Sequence, residues 1–333
     1  MSKLPFEEIQ RKILVKKESA SSENYGKRPE ERTIKELLEN SVLCFNKVAG
    51  PSSHQAADYI KKILKAEKVG HGGTLDPNVS GVLPVSIGKA TKIMEALLKA
   101  GKEYICLMHI HKPIPQSKIH KSSKEFIGKI TQLPPLKSAV KRQLREREIY
   151  YLEILEIKNQ DVLFKVGCQA GTYIRKLCFD WGKALETNAH MSELVRTKAG
   201  PFSEKEWYSL QDIKDAYTLY QEGNEKELEK ILKPVEFAVQ HLPKIWITDS
   251  AVDTICHGAN LSIPGITKLH SKIKKGDMTA IMTLKDELIA VGDTILTSEE
   301  IMQEQRGLAV KTTKVFMEPE IYPHFKRNES TVY

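Results

Sequence analysis

The order of predicted strands and helices is the feature that most limits how this chain can fold. Buried-strand candidates lie at residues 82–87, 103–110, 148–157 and 161–168, and amphipathic helices separate them at irregular intervals. A doubly wound parallel sheet requires a regular alternation of strand and helix, and that rhythm is missing here. The sequence therefore predicts an α+β fold.

The pattern of predicted elements changes near residue 244. From there, short strand candidates are separated by Gly and Pro turns, which is typical of a small β-barrel module. At the other end, residues 16–32 contain no Leu, Ile, Val or Phe and are typical of an extended arm. We predict an N-terminal arm with a short helix over residues 1–40, which packs on the C-terminal module. A large domain over residues 41–243, the module over 244–323 and a tail over 324–333 follow it.

The net charge of +8 is distributed unevenly along the chain. Residues 102–149 contain 11 Lys and Arg against 4 Asp and Glu, whereas residues 244–333 contain 11 against 12. Such a basic stretch favours a polyanion partner, with a solvated lysine-rich surface as the alternative that charge alone leaves open.

The sequence gives no sign of a membrane or secreted protein. No apolar run approaches the roughly 20 residues of a membrane helix, and the N-terminus lacks an apolar signal segment. The five cysteines are odd in number and form no C-x-x-C pair. We therefore expect a cytoplasmic protein without a disulfide framework.

A glycine-dense loop over residues 69–81 is the best candidate for chemistry. It carries a single carboxylate, Asp76, followed by Pro77, and such a group in a rigid loop suits nucleophilic or acid–base work. A plain Asp-Pro turn and a structural role for His71 are the alternatives from the residues alone. The loop is not a P-loop, and no second carboxylate or histidine cluster lies at metal-ligand spacing, so a metal site is not expected.

Five segments, in order, resemble the TruB family of RNA pseudouridine synthases. The glycine loop resembles the catalytic motif of that family, and the other four segments begin at Asn46, Lys102, Gly171 and Leu194. By this resemblance, Asp76 is the essential carboxylate, Arg175 its charge partner and Tyr104 the residue that stacks on the flipped uracil. The resemblance also implies a pocket formed by His71, Tyr173 and Leu194. The reaction that the resemblance implies involves no redox change or hydrolysis, so neither a cofactor nor a metal is expected. The resemblance leaves open whether Asp76 attacks C1′ of the sugar or acts as a base.

The segment that starts at Pro134 narrows the resemblance to the archaeal dyskerin-like branch, whose members are catalytic subunits of H/ACA guide-RNA ribonucleoproteins. The implied fold is a mixed, largely antiparallel sheet flanked by helices, followed by a PUA RNA-binding domain. The implied partners are substrate RNA, an H/ACA guide RNA and small accessory proteins. We expect RNA contacts from the basic residues and from two glycines of the C-terminal turns, namely Lys47, Lys137, Lys141, Arg142, Arg145, Gly258 and Gly265.

Three other functions compete with guided modification of uridines in rRNA or tRNA. A stand-alone synthase for the tRNA T-loop is the first, although residues 108–133 are shorter than in bacterial members that grip tRNA unaided. A non-catalytic RNA-binding scaffold is the second, and the presence of Asp76 argues against it. An Asp-nucleophile phosphatase is the third, but it needs an Asp two residues after the first, where this chain has Asn78.

Overall fold

The structure is a computed structural model that describes residues 2–134 and 143–324. These residues form ten α-helices, which are α1 Pro5–Glu8, α2 Ile34–Glu39, α3 Ser53–Leu64, α4 Met94–Lys99, α5 Gln116–Ser123, α6 Ile174–Ala184, α7 Leu210–Gln221, α8 Lys226–Ile231, α9 Asp249–Cys256 and α10 Ser298–Gln303. Within the described ranges, no helix is both long and apolar enough to cross a membrane.

The same residues form seventeen strands. They are β1 Ile13–Val15, β2 Asn40–Lys47, β3 Val69–His71, β4 Ser80–Gly88, β5 Lys102–Ile110, β6 Gly128–Gln132, β7 Arg145–Lys158, β8 Asp161–Cys168, β9 Ala189–Ala199, β10 Phe202–Ser203, β11 Lys233–Pro234, β12 Lys244–Ile247, β13 Leu261–Ser262, β14 Ile266–His270, β15 Met278–Met282, β16 Leu288–Thr294 and β17 Leu308–Val315.

The larger sheet has ten strands, of which eight follow the order β11-β2-β4-β9-β5-β8-β7-β6, while β3 pairs with β4 and β10 pairs with β9. All of its ladders are antiparallel except β4 with β9, where Ser80 pairs with Val195 and Gly81 with Arg196. This mixed, largely antiparallel sheet confirms the predicted α+β class. The parallel pair places the end of the glycine loop beside β9.

Helix α3 precedes the glycine loop and is fixed by its own sequence. The Ser52 side chain accepts a hydrogen bond from the backbone of Gln55 in a capping box, and Lys65 ends the helix in the left-handed conformation, with φ of 50°. The inward face is buried at Ala56, Ile60 and Leu64. Tyr59 is 42% exposed because it lies at the edge of this narrow apolar stripe.

Helix α6 carries the candidate arginine. Its apolar stripe, including Leu177 and Trp181, is buried. Tyr173 is the N-cap of the helix, and the hydroxyl of the preceding Thr172 donates to the carbonyl of Gln169 at 2.7 Å. The burial of the stripe sets the rotation of the helix and therefore the direction of Arg175.

The smaller sheet forms the C-terminal module, in the order β1-β14-β12-β15-β16-β17-β13. Its edge strand β1 comes from the N-terminal arm, where Ile13 pairs with His270 and Val15 with Lys268. Trp246 and Met282 of this sheet share one apolar core with Val42 and Leu97 of the larger unit, so the two sheets are joined by buried side chains.

Candidate active site

Asp76 and Arg175 are brought together although 99 residues separate them in the sequence. Arg175 Nη2 lies 2.5 Å from Asp76 Oδ2, with both side chains more than half exposed. The loop presents the carboxylate outward, and the first turn of α6 presents the guanidinium toward it. The predicted charge pair is therefore formed on an open face of the molecule.

Lys47 does not lie where RNA could reach it. Its side chain is fully buried, and its ammonium donates to the carbonyls of Val48, Asp76, Pro77 and Val79 at 2.8 to 3.4 Å. The predicted RNA contact is wrong, because those carbonyls use every direction in which the ammonium can donate. Lys47 instead braces the backbone of the loop on both sides of the Asp76 carboxylate.

Two further contacts hold the loop. The Ser53 hydroxyl donates to the carbonyl of Leu75 and accepts from its N–H, at 3.0 and 2.8 Å. Gly81 has a φ of +109°, and a Cβ there would lie 2.2 Å from the carbonyl oxygen of Arg196. Only glycine allows β4 to approach β9 this closely, so the residue that ends the loop is dictated by backbone packing.

Arg196 is a site residue for which the sequence analysis gave no role. Its side chain is buried, Nε donates to the carbonyl of Val82 at 2.7 Å, and Nη2 donates to the carbonyl of Gly73 at 3.1 Å. Burial lowers the pKa of this guanidinium. The sequence signal that could have identified Arg196 is an arginine within a strand, because an arginine that is buried there has to be fully hydrogen-bonded.

Tyr104 pairs with Arg196 across the β5–β9 ladder and is half-buried. Burial raises the pKa of its phenol, so the ring is neutral at physiological pH. Next to it, burial lowers the pKa of Lys102 to about 7, and the Lys102 ammonium donates to the carbonyls of Leu97, Leu98 and Ala100 at the end of α4. Lys102 therefore anchors α4 beneath the site.

The predicted pocket residues lie on three separate elements. His71 is on β3, Tyr173 at the start of α6, and Leu194 on β9, and all three are half-buried. The backbone N–H of Tyr173 donates to Oε1 of the buried Gln132 at 3.0 Å. Burial lowers the pKa of His71, whose Nδ1 is buried and has no hydrogen-bond partner among the described residues. His71 is thus neutral with one buried ring nitrogen unsatisfied.

The structure describes some of the predicted RNA-contact residues and not others. Arg145 opens β7, and Gly258 ends helix α9 with a φ of +88°. Gly265 is half-buried against Ala251. Lys137, Lys141 and Arg142 lie outside the described residues.

Comparison with known families agrees with this architecture. The model described as the TruB family pseudouridylate synthase N-terminal domain matches residues 61–174, and that of the tRNA pseudouridylate synthase B C-terminal domain matches residues 175–240. A PUA domain matches residues 243–316, and a DKCLD domain matches residues 1–57. Together, the four family models cover nearly all of residues 1–316.

Curated relatives match along nearly the whole chain. The probable tRNA pseudouridine synthase B of Pyrococcus furiosus is 52% identical over 328 residues, which are 97% of this chain and 96% of the relative. The protein of the same description from Methanosarcina barkeri is 51% identical, over 96% and 95% of the two chains.

Solved structures match equally far. A chain of a Cbf5-Nop10-Gar1 complex is 52% identical with a TM-score of 0.93, over 97% of this chain and 98% of that one. A chain of an H/ACA RNP bound to a substrate RNA containing 2'-deoxyuridine is 49% identical with a TM-score of 0.90, over 96% and 99%. Identity at this level along the full length shows common descent and activity: the chain belongs to the TruB family of pseudouridine synthases and is an RNA isomerase.

Proposed function

We propose that Asp76 carries out the isomerisation of uridine to pseudouridine and that Arg175 orients it. The reaction breaks the N1–C1′ bond of the nucleoside and rejoins the base to the sugar through C5, while the proton on C5 is lost and N1 gains one. The observation that supports this assignment most directly is the 2.5 Å ion pair between the two side chains. Asp76 is the sole carboxylate of the 69–81 loop.

The exposure of Asp76 and Arg175 in the free protein fits a site that the bound RNA itself covers. A uridine in a stacked helix presents neither C1′ nor C5 to an enzyme, so the nucleotide has to be flipped into the site. Bound RNA then excludes water from Asp76 and Arg175, which strengthens the interaction between them. An open face in the free protein is what such a mechanism requires.

Tyr104 is proposed to stack on the flipped uracil. Its phenol is neutral and lies beside the buried Arg196, whose bonds to Gly73 and Val82 fix the floor of the site. Tyr173 and Leu194 are proposed to form the walls. The unsatisfied Nδ1 of His71 is a group that a nucleotide can satisfy, and this supports a role for His71 in holding the flipped nucleotide.

We further propose that an H/ACA guide RNA selects the target uridines, in rRNA above all. The support is the likeness to a chain in an H/ACA RNP with bound substrate RNA, over 96% of this chain, together with the excess of basic residues in 102–149. Small accessory proteins of the kind in the Cbf5-Nop10-Gar1 complex are the proposed protein partners, and the cytoplasm is the proposed compartment. The five free, buried cysteines suit a reducing compartment.

A second candidate is modification of tRNA without a guide. The names of the curated relatives favour it, since they are described as probable tRNA pseudouridine synthases B. It uses the same site, so the two candidates differ in how the RNA is recognised and not in the chemistry.

One assay separates the two candidates. The purified full chain is incubated with a tRNA transcript alone, and in parallel with an H/ACA guide RNA, a matching substrate strand and the two accessory proteins. Pseudouridine is then mapped by primer extension after carbodiimide treatment. Guided modification predicts product in the second reaction and its disappearance when the guide is mismatched. Product of equal yield on tRNA without guide or partners contradicts the guided proposal, and Asp76→Asn is the control for contaminating activity in both.

A further inference from the structure

A cluster of one carboxylate and two imidazoles lies in the C-terminal domain, away from Asp76. Asp253 is on α9, His257 follows the last residue of that helix, and His324 belongs to the C-terminal segment. One side-chain ligand atom from each of the three lies within 4.8 Å of the others. The sequence analysis expected no metal site, because Asp253 and His257 are only a pair until the fold brings His324 to them.

The carboxylate of Asp253 is fixed before anything binds. Its side chain is 1% exposed, and its Oδ1 accepts a hydrogen bond from the backbone N–H of Glu320 at 2.8 Å. The other oxygen, Oδ2, faces both imidazoles, with His324 Nδ1 at 2.6 Å and His257 Nε2 at 3.5 Å. A buried carboxylate with one oxygen held by a backbone N–H and the other turned toward two imidazoles is the arrangement that metal ligands show when an outer hydrogen bond holds them in place.

The two distances to Asp253 Oδ2 can reach those of a tetrahedral ion with a small movement of one side chain, and all three ligand atoms lie within 4.8 Å of one another. Ligand bonds of about 2.0–2.1 Å to Zn²⁺ place ligand atoms about 3.3 Å apart in a tetrahedron. The His257–Asp253 separation of 3.5 Å is already close to this value and long for a hydrogen bond. The His324–Asp253 contact has to open by less than 1 Å, and the His324 side chain, 64% exposed, is free to do so.

We propose that Asp253, His257 and His324 bind a divalent transition metal ion of the Zn²⁺ class, with water at the fourth position. Two imidazoles and one carboxylate favour such an ion over Mg²⁺ or Ca²⁺, which prefer oxygen ligands. The site goes beyond pseudouridine formation and does not depend on it. Bound metal neutralises a buried carboxylate that is otherwise compensated only by hydrogen bonds and the nearby imidazoles.

The site joins α9 to the C-terminal segment, and that segment leads to the N-terminal arm. Tyr322 is buried, and its hydroxyl donates to Glu287 Oε2 at 2.6 Å. The other oxygen of Glu287 accepts from the backbone of Lys27 in the arm at 3.3 Å. The metal therefore fastens the junction of the arm, the C-terminal segment and the PUA sheet.

The test is titration of the untagged, chelator-treated full chain with Zn²⁺ by calorimetry. A second histidine pair could bind the ion weakly, since His111 Nε2 and His190 Nδ1 lie 2.8 Å apart on the surface, so the titration is done in the H111Q/H190Q background. We expect one Zn²⁺ per chain and a rise in Tm on binding. The variants H257Q and H324Q should each weaken binding about tenfold or more.

The two histidine variants keep the test valid if D253N fails to fold, because both side chains are more than half exposed. The matched control is H120Q, at an exposed histidine on α5, which should leave the affinity unchanged. If the three residues form only a metal-free hydrogen-bonded clamp, H324Q lowers Tm equally with and without Zn²⁺, and no stoichiometric binding is seen. That outcome, or Zn²⁺ binding unaffected by H257Q and H324Q, overturns the proposal.

Discussion

The guanidinium of Arg175 donates to the carboxylate of Asp76 at 2.5 Å, and neither residue needs the other in order to be held in place. The loop of Asp76 is fixed by the buried Lys47 and Ser53, and α6 is fixed by its own buried stripe. An ion pair with both members more than half exposed contributes little to folding stability. We therefore propose that the pair acts on bound RNA, and substitution of each member separates their roles.

Asp76→Asn should abolish pseudouridine formation and leave RNA binding intact. The amide keeps the shape of the carboxylate but can neither attack C1′ nor accept a proton as a base. Because the side chain is 57% exposed, no unpaired group is buried and Tm should change little. Single-turnover product formation and gel-shift affinity are measured on one preparation. More than trace product from this variant would show that another group carries the chemistry.

Arg175→Met should lower the single-turnover rate by about two or more orders of magnitude, the range found when a preorganised charged donor is removed from an active site. Arg175→Lys should recover part of the rate, because it restores the charge without the second guanidinium nitrogen. Lys183→Met, on the same helix, is the matched control and should retain the rate. Equal rates in the Met variants of Arg175 and Lys183 would show that the ion pair is not used.

The sequence predicts the residues that face the substrate better than the residues that hold the site in place. Asp76, Arg175 and Tyr104 were identified because they lie in ordered segments that resemble a known family, and only Asp76 was also indicated by the residues of its own loop. Lys47 was misassigned because a lysine in a motif has the same letter whether it faces solvent or is buried under a loop. Its burial depends on Val79 and Pro77, more than 25 residues away, and local pattern does not encode that contact.

The fold, too, was predicted where local pattern decides the structure and missed where distant contacts decide it. Strands with strong apolar runs, such as β5 and β8, were predicted within a residue or two. Strand β1 was missed because its three residues stand beside a polar arm and acquire strand geometry only by pairing with β14. The metal-type cluster was missed for the same reason, since His324 reaches Asp253 across 71 residues.

Lys47→Met should destabilise the protein and reduce activity together. The substitution leaves several loop carbonyls without a donor in a buried place, and each unsatisfied group costs about 1–3 kcal/mol. We expect the free energy of unfolding to fall by about 2–4 kcal/mol. Urea denaturation measures it, with the exposed Lys61→Met as control. A variant of normal stability and rate would show that Lys47 does not brace the loop.

His241 should make the protein less stable in acid. Burial lowers the pKa of this histidine to about 4, from an ordinary value near 6.5, and its side chain is only 8% exposed. Between these two pH values the unfolded chain binds more protons, so stability is lost as the pH falls from 6.5 to 4 and the loss stops below 4. At about 1.36 kcal/mol per unit, the contribution is on the order of 3 kcal/mol.

The measurement for His241 is the free energy of unfolding at several pH values for the wild type and for His241→Gln. The variant should lose less stability over this window, because its side chain does not titrate. His120→Gln, at an exposed position, should follow the wild-type curve. Parallel curves for the wild type and the His241 variant would show that folding does not lower the pKa of His241.

The last prediction concerns which part of the chain contacts phosphates. The excess of basic residues lies in 102–149, whereas residues 244–333 are nearly neutral. We expect Arg145→Gln to reduce the slope of log K against log salt for guide-RNA binding by about 0.7–0.9, the value for one lost phosphate contact. Lys311→Gln, at an exposed position on β17, should leave the slope unchanged. Point substitutions are preferable to removing the C-terminal module, because Trp246 shares a core with Leu97 and truncation would expose apolar surface. A reduced slope for the Lys311 variant, with none for the Arg145 variant, would assign the phosphate contacts to the PUA domain and contradict the argument from charge.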